Sequence, residues 1–245
     1  IRGDPADRNE GIYVAGGSLT VPAAFGFTNY YIGVGGTSAT FNPTTLLTVG
    51  TNATMKFDTP CTVNCPVVLE AGGWLSHSPN NANEAYKIDV IINGNLDIAT
   101  GAQVNVDNVG YYACGPGYVD YYVASSHGGR GTGKGPTYGS ITAPTNCGSG
   151  SREALERGGG AARITVTGTT TVYGVISASD VGGNAYGSSG GSVFLTTGTL
   201  TGNGTIRANG RQGGGGGRIA VALTQMGAGW DGFVGVMNAF GGSAN

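Results

Sequence analysis

The stretch Leu47-Thr-Val-Gly-Thr-Asn-Ala-Thr-Met-Lys-Phe57 lies without a gap over Leu96-Asp-Ile-Ala-Thr-Gly-Ala-Gln-Val-Asn-Val106. Val67-Val-Leu-Glu-Ala-Gly-Gly-Trp-Leu-Ser-His77 follows the same scheme, and Ile12-Tyr-Val-Ala-Gly-Gly-Ser-Leu-Thr-Val21 is a version one residue shorter. Each unit is a short alternating apolar strand, a corner of small residues, and a second alternating strand. Alternation at period two sends half the side chains inward and half outward. A single unit of this kind cannot bury its inward face, so neighbouring units must stack and pair their main chains.

The C-terminal half carries a glycine-rich form of the unit. Val175-Ile-Ser-Ala-Ser-Asp-Val-Gly-Gly183 matches Thr205-Ile-Arg-Ala-Asn-Gly-Arg-Gln-Gly213, and Val104-Asn-Val-Asp-Asn-Val-Gly110 reads as an earlier copy. Arg163-Ile-Thr-Val166, Ser192-Val-Phe-Leu195 and Arg218-Ile-Ala-Val221 begin successive units, with 29 residues from Ile164 to Val193 and 26 from Val193 to Ile219. Coils of that length predict an all-β chain. The expected architecture is a single parallel β-helix (a β-solenoid) over 1–245, right-handed as crossover connections usually are, with long loop insertions. A β-sandwich would need hairpin signals between strands. The two Asn-Gly pairs, Asn93-Gly94 and Asn209-Gly210, recur at matching places within coils and read as corners instead. Only Ser151-Arg-Glu-Ala-Leu-Glu-Arg157 has helix-forming composition.

Composition agrees. Glycine supplies 49 of 245 residues and charged residues only 11%, with a net charge of −2. That balance excludes nucleic-acid binding, which needs basic clusters. No apolar run has the ~18–20 residues of a membrane span. The absence of an initiator Met at Ile1 is read as a mature, secreted, extracellular chain. Residues 22–45, with Phe25, Phe27, Tyr30, Tyr31 and Phe41, are expected to form an excursion or an N-terminal cap. Residues 111–160 break the rhythm altogether and read as a Tyr/Gly-rich insertion.

Tyr138-Gly-Ser-Ile-Thr-Ala-Pro-Thr-Asn-Cys-Gly-Ser-Gly150, Gly158-Gly-Gly-Ala-Ala-Arg-Ile-Thr-Val166 and the run from Gly190 to Val221 form a multi-part motif covering about half the chain. Together they resemble the glycine-rich β-helix repeats of bacterial surface and secreted proteins, a branch of the pectin-lyase-like superfold. The resemblance implies the fold and little about activity.

The four cysteines are even in number and lie in loop-like segments, which in a secreted chain predicts disulfides Cys61–Cys65 and Cys114–Cys147, the second closing the insertion. Zinc spacing is absent, since His77 and His127 stand alone and are expected in surface loops. Gly128-Gly-Arg-Gly-Thr-Gly-Lys134 approaches a phosphate-binding loop. Gly135 stands where a magnesium-holding Ser or Thr belongs, however, and no strand or helix signal flanks it. No cofactor is expected. The superfold hosts polysaccharide lyases and hydrolases, which need converging carboxylates. Here the acids are scattered, and Asp89, Asp97 and Asp107 are the nearest to sharing a face. Tyr111, Tyr112, Tyr118, Tyr121 and Tyr122 have three open readings: cover for one side of the coil, a self-association surface, or a sugar-stacking surface. The expectation is a non-enzymatic structural protein that assembles with itself head-to-tail into a filament. A glycan-binding adhesin on surface polysaccharide and a polysaccharide-cleaving enzyme are the alternatives. The segments expected to form the joint are 12–21 and 232–240.

Overall fold

A computed structural model of the chain describes residues 11–36, 40–151, 156–182 and 187–243. Among them there are nineteen strands and no helix, so no helix is long and apolar enough to cross a membrane. The first sheet has eight strands in the order β1 (Gly11–Val14), β4 (Tyr31–Val34), β7 (Thr54–Phe57), β10 (Trp74–Ser76), β13 (Gln103–Asn105), β15 (Val175–Ser177), β17 (Thr205–Arg207) and β19 (Val236–Asn238). The second runs from β3 (Ala24–Phe27) through β6 (Leu46–Val49), β9 (Val67–Leu69), β12 (Leu96–Ile98), β14 (Ala161–Val172) and β16 (Ser192–Thr201) to β18 (Arg218–Leu223). Two further strands, β8 (Cys61–Val63) and β11 (Ile88–Ile92), extend it beside β14, and β2 (Ser18–Leu19) pairs with β5 (Thr40–Phe41). All these strand pairings are parallel.

Register turns the sequence repeats into columns of like residues. In the first sheet Ile12, Ile32, Met55, Leu75, Val104, Ile176, Ile206 and Met237 lie one above another on the inward face. In the second, Leu47, Val67 and Leu96 align, as do Ile164, Leu195 and Val221. Each fully buried Leu, Ile or Met in such a column stabilises the fold by roughly 1.5–3 kcal/mol relative to exposure.

Two alignments read from the sequence change phase. Ile12 belongs to the column of Met55, the second strand of a unit, and Phe25 takes the place aligned with Leu47. Arg163 pairs with Phe194 rather than with Ser192, a shift of two residues that keeps every side chain on its own face. Residues 22–45 supply β3, β4 and β5, and Phe25 packs within 5.8 Å of both Phe27 and Phe41. Ser151 and Glu156 form an antiparallel bridge; the four residues between them, which carry most of the helix-forming composition, lie outside the described residues.

The glycine-rich segments build a second kind of interior. Residues 125–129, 147–151, 157–160, 187–191 and 213–217 run past one another and exchange main-chain hydrogen bonds. Gly148 N–H donates to Gly159 O, Gly159 to Ser189, Ser189 to Ser149, Gly190 to Gly215, Gly215 to Ser125 and Gly129 to Gly216, all at 2.8–3.0 Å. Most of these residues are buried although they carry almost no side-chain volume. The core here is backbone packed on backbone. A Cβ on Gly148, Gly158, Gly190, Gly191, Gly215 or Gly217 would run into a carbonyl group of the neighbouring segment. Glycine is therefore required by close approach; none of these six has a positive φ.

Candidate functional site: the open ends of the strand stack

The strands at the two ends of each sheet differ from those between them. Val193 and Leu195 on β16 are 1% exposed, whereas their column neighbours Ile219 and Val221 on β18 are only half-buried, like every residue of that strand. Beyond β18 the chain presents Met226, Trp230, Val234, Val236 and Phe240 to solvent, Met226 at 98% and Val234 at 79% exposure. Among the described residues, strand β19 closes the first sheet with one neighbour, β17, and β1 closes its other end with one neighbour, β4. Strand β19 falls inside one segment the sequence marked, 232–240, and β1 overlaps the start of the other, 12–21. An edge strand keeps a row of unpaired N–H and C=O groups. Met226 and Trp230 were not foreseen; their signal was the apolar residues strewn through an otherwise glycine-rich tail.

The Tyr cluster does not hold together as one surface. Tyr112 lies under the Arg157 guanidinium at 4.6 Å, and the Tyr111 hydroxyl is pushed up to about 12, chiefly by burial and then by the Glu84 carboxylate. Tyr118 is half-buried. Only Tyr121 and Tyr122 stand out, edge to face with centroids 4.7 Å apart. The insertion is instead organised around Tyr138, which the sequence did not single out. Its ring packs 4.5 Å from that of His127, and its hydroxyl donates to Cys147 O at 2.7 Å and lies 2.9 Å from Ser149 Oγ.

Both histidines are interior rather than in surface loops. His77 Nδ1–H donates to Ser78 O at 2.8 Å, and its Nε2 accepts from Ala161 N–H at 3.3 Å. His127 Nδ1–H donates to Gly190 O at 2.8 Å, and its Nε2 has no partner. Burial lowers both rings to about 4.

The expected disulfides are not formed; all four cysteines are free. Cys65 packs inside the hydrophobic core, while Cys61, at the start of β8, is half-buried and packs against that core. The Cys147 sulfur is turned inward toward Asn80 Nδ2 at 3.5 Å, whereas the Cys114 sulfur faces Ala82 O at 3.8 Å. Burial pushes the Cys147 thiol far up, so it stays protonated and unreactive. Alkylation of the unfolded, unreduced protein is therefore expected to label all four cysteines, with Cys147 protected in the native protein. A cross-linked peptide pair would contradict this.

The three acids do not converge. Asp89 meets Arg163 at 3.4 Å on the outer face of β11. Asp97 sits opposite Thr171, eight positions further along β14 and roughly 25 Å away at the rise of a strand. Asp107 belongs to the other sheet's corner, where it accepts from Ser177 Oγ and Ser179 N–H and meets Arg207 at 3.6 Å. A glycosidase pair lies within about 5–10 Å. The amides of the phosphate-loop-like segment are also taken: Gly129, Gly131, Thr132 and Gly133 donate to Gly216, Ser126, Gly213 and Ala124. Among the described residues no group of three His, Cys, Asp or Glu side chains could hold a metal ion. No protein family, curated protein or solved structure matches the chain.

Proposed function

We propose that this chain is a right-handed β-solenoid and a non-enzymatic structural protein outside the cell, joined head-to-tail to copies of itself in a filament. The observation that carries the reading is the half-buried inward column at both ends of the first sheet. Ile12 and Met237 begin and end a column whose interior members are fully buried. A second copy placed with its β1 beside β19 continues the column, converts two partly covered apolar side chains into buried ones, and supplies the missing ladder hydrogen bonds. Because each step in the sheet is parallel, the joint is head-to-tail. A contact of that kind propagates unless its rotation closes a ring. A net charge of −2 offers little repulsion between copies.

The experiment blocks one end at a time. Met237→Lys places a charge where the next copy's Ile12 would stack, and Ile12→Lys does the same at the opposite end. The wild type is expected to polymerise. Each variant alone should stay monomeric, and an equimolar mixture should stop at twice the monomer mass by light scattering, since each retains the end the other lacks. Variants that associate as the wild type does, with unchanged circular dichroism, would refute the joint.

A further inference from the structure

The strand stack is interrupted at one place on its side. Two successive turns of the chain pair directly on either side of it, β4 with β7 and β6 with β9. Between those ladders lie β5 and β8, which do not pair with each other. Among the described residues β5 has β2 as its one neighbour and β8 has β11. Most Cα pairs between β5 and β8 are more than 8 Å apart. A strand lying between two others would hold them two spacings apart, about 9–10 Å. The hollow in the gap measures about 310 Å³ and is lined by Phe41 and Asn42 from one side and by Pro60, Cys61, Thr62 and Asn64 from the other.

The main chain on both sides is turned into the gap. Successive residues of a parallel strand direct their N–H and C=O groups to opposite neighbours. Asn93 N–H donates to Val63 O, so Cys61 and Val63 serve β11, and Thr62 turns both its main-chain groups away from it. Thr40 N–H donates to Gly17 O, so Thr40 serves β2, and Phe41 turns its groups toward β8. Thr62 O meets the Cys61 thiol of its own strand at 3.8 Å. No charged side chain lines the hollow, and residues 11–55 contain none at all. We infer that this gap receives a short, uncharged, extended segment of a partner protein, which enters as a strand parallel to β5 and β8.

The occupant is short because the ladders on either side close the gap, and β8 itself is about 10 Å long. Its inward side chains would lie between Phe41 and Val63, both buried, in the row where Cys61 is left half-buried. They are therefore apolar. The same inward residues offer their main chain to Thr62, and the outward ones offer theirs to Phe41, so the N–H and C=O of both residues gain partners. Main-chain bonds of this kind supply affinity, and the inward pocket supplies selectivity. A charged residue in the gap would leave water without a partner, which fixes the segment as uncharged. The added strand joins the β2–β5 ladder to the nine-stranded sheet. The gap lies on the side of the stack, so end-to-end association does not cover it, and the inference stands independently of the filament.

The probe is a fluorescein-labelled Ser-Thr-Val-Thr-Ser amide, titrated into the full chain and followed by fluorescence anisotropy. Saturable binding is expected, and the bound probe should slow alkylation of Cys61, which borders the gap. N-methylation of the central Val removes one donor and should weaken binding about tenfold, as the loss of one buried hydrogen bond implies. A probe with Lys in place of that Val should lose at least as much. Thr62→Pro removes an N–H that faces the gap and no bond to β11, a change that edge strands tolerate. It should weaken binding about tenfold with circular dichroism unchanged, whereas Thr62→Ala should bind as the wild type does. Absence of saturable binding, equal binding of the N-methyl or Lys probe, or equal binding by folded Thr62→Pro would overturn the inference.

Discussion

A single methyl group on Gly191 is expected to destabilise the fold by at least about 3 kcal/mol, a large fraction of the total stability of a typical domain. The Cβ of Gly191→Ala would stand 2.5 Å from Gly159 O and 2.6 Å from Gly159 C, and closer still to Gly160 O. All three atoms are main chain. They belong to a segment whose amides are already committed, Gly158 to Tyr111 O, Gly159 to Ser189 O and Gly160 to Val106 O, so relief in one place opens hydrogen bonds in another. Gly215→Ala meets Gly129 O in the same way. Gly229→Ala is the matched control, since the nearest atom to its Cβ is Asp231 Oδ2 at 3.8 Å. It should be neutral within about 0.5 kcal/mol. Urea unfolding of the three variants decides the matter; equal midpoints for Gly191→Ala and Gly229→Ala would mean that the glycine interior is not close-packed.

Mild acid is expected to have the second largest effect. His77 and His127 are buried as neutral rings with pKa values lowered to about 4, against 6.5 when free. In the unfolded chain both take up a proton first. Their contribution is complete above pH 6.5 and is lost as the pH falls from 6.5 toward 4, by roughly 3 kcal/mol for each ring. The geometry gives the same sign without any pKa. Protonation would turn His77 Nε2 from an acceptor into a donor facing the Ala161 N–H. Asp180 works the other way. Burial raises its carboxyl to about 6 from 3.8, so the folded state gains up to roughly 3 kcal/mol as the pH falls through that interval. Two rings against one carboxyl leave a net loss of about 4 kcal/mol between pH 7 and 4. Melting temperatures measured across that range should fall, and more steeply in Asp180→Asn, which lacks the opposing group. A flat profile would contradict the buried neutral histidines.

The periodic part of the fold was legible because it depends on alternation alone. Leu47, Val67 and Leu96 align in sequence and in space, and so do Met55, Leu75 and Val104. Phase was less legible, as the two-residue shift at Arg163 shows: period-two patterns look the same after such a slip. The insertion could not be read, because its order comes from main-chain bonds between distant glycines and from Tyr138 over His127, none of which leaves a periodic trace. The cysteine pairing failed for a related reason. Even number and proximity say nothing about where a sulfur points, and Cys65 points into the core. The edge strands were found because the apolar segments 12–21 and 232–240 stand out from the glycine-rich sequence around them.

The claim on which the functional account depends is that strand stacking continues from one molecule into the next. Electron cryomicroscopy of the concentrated protein addresses it directly. The account predicts unbranched filaments with a layer spacing of about 4.8 Å along the filament axis, unbroken where β19 of one copy meets β1 of the next. Monodisperse single particles at every concentration, or filaments whose strand spacing runs across the axis, would contradict it.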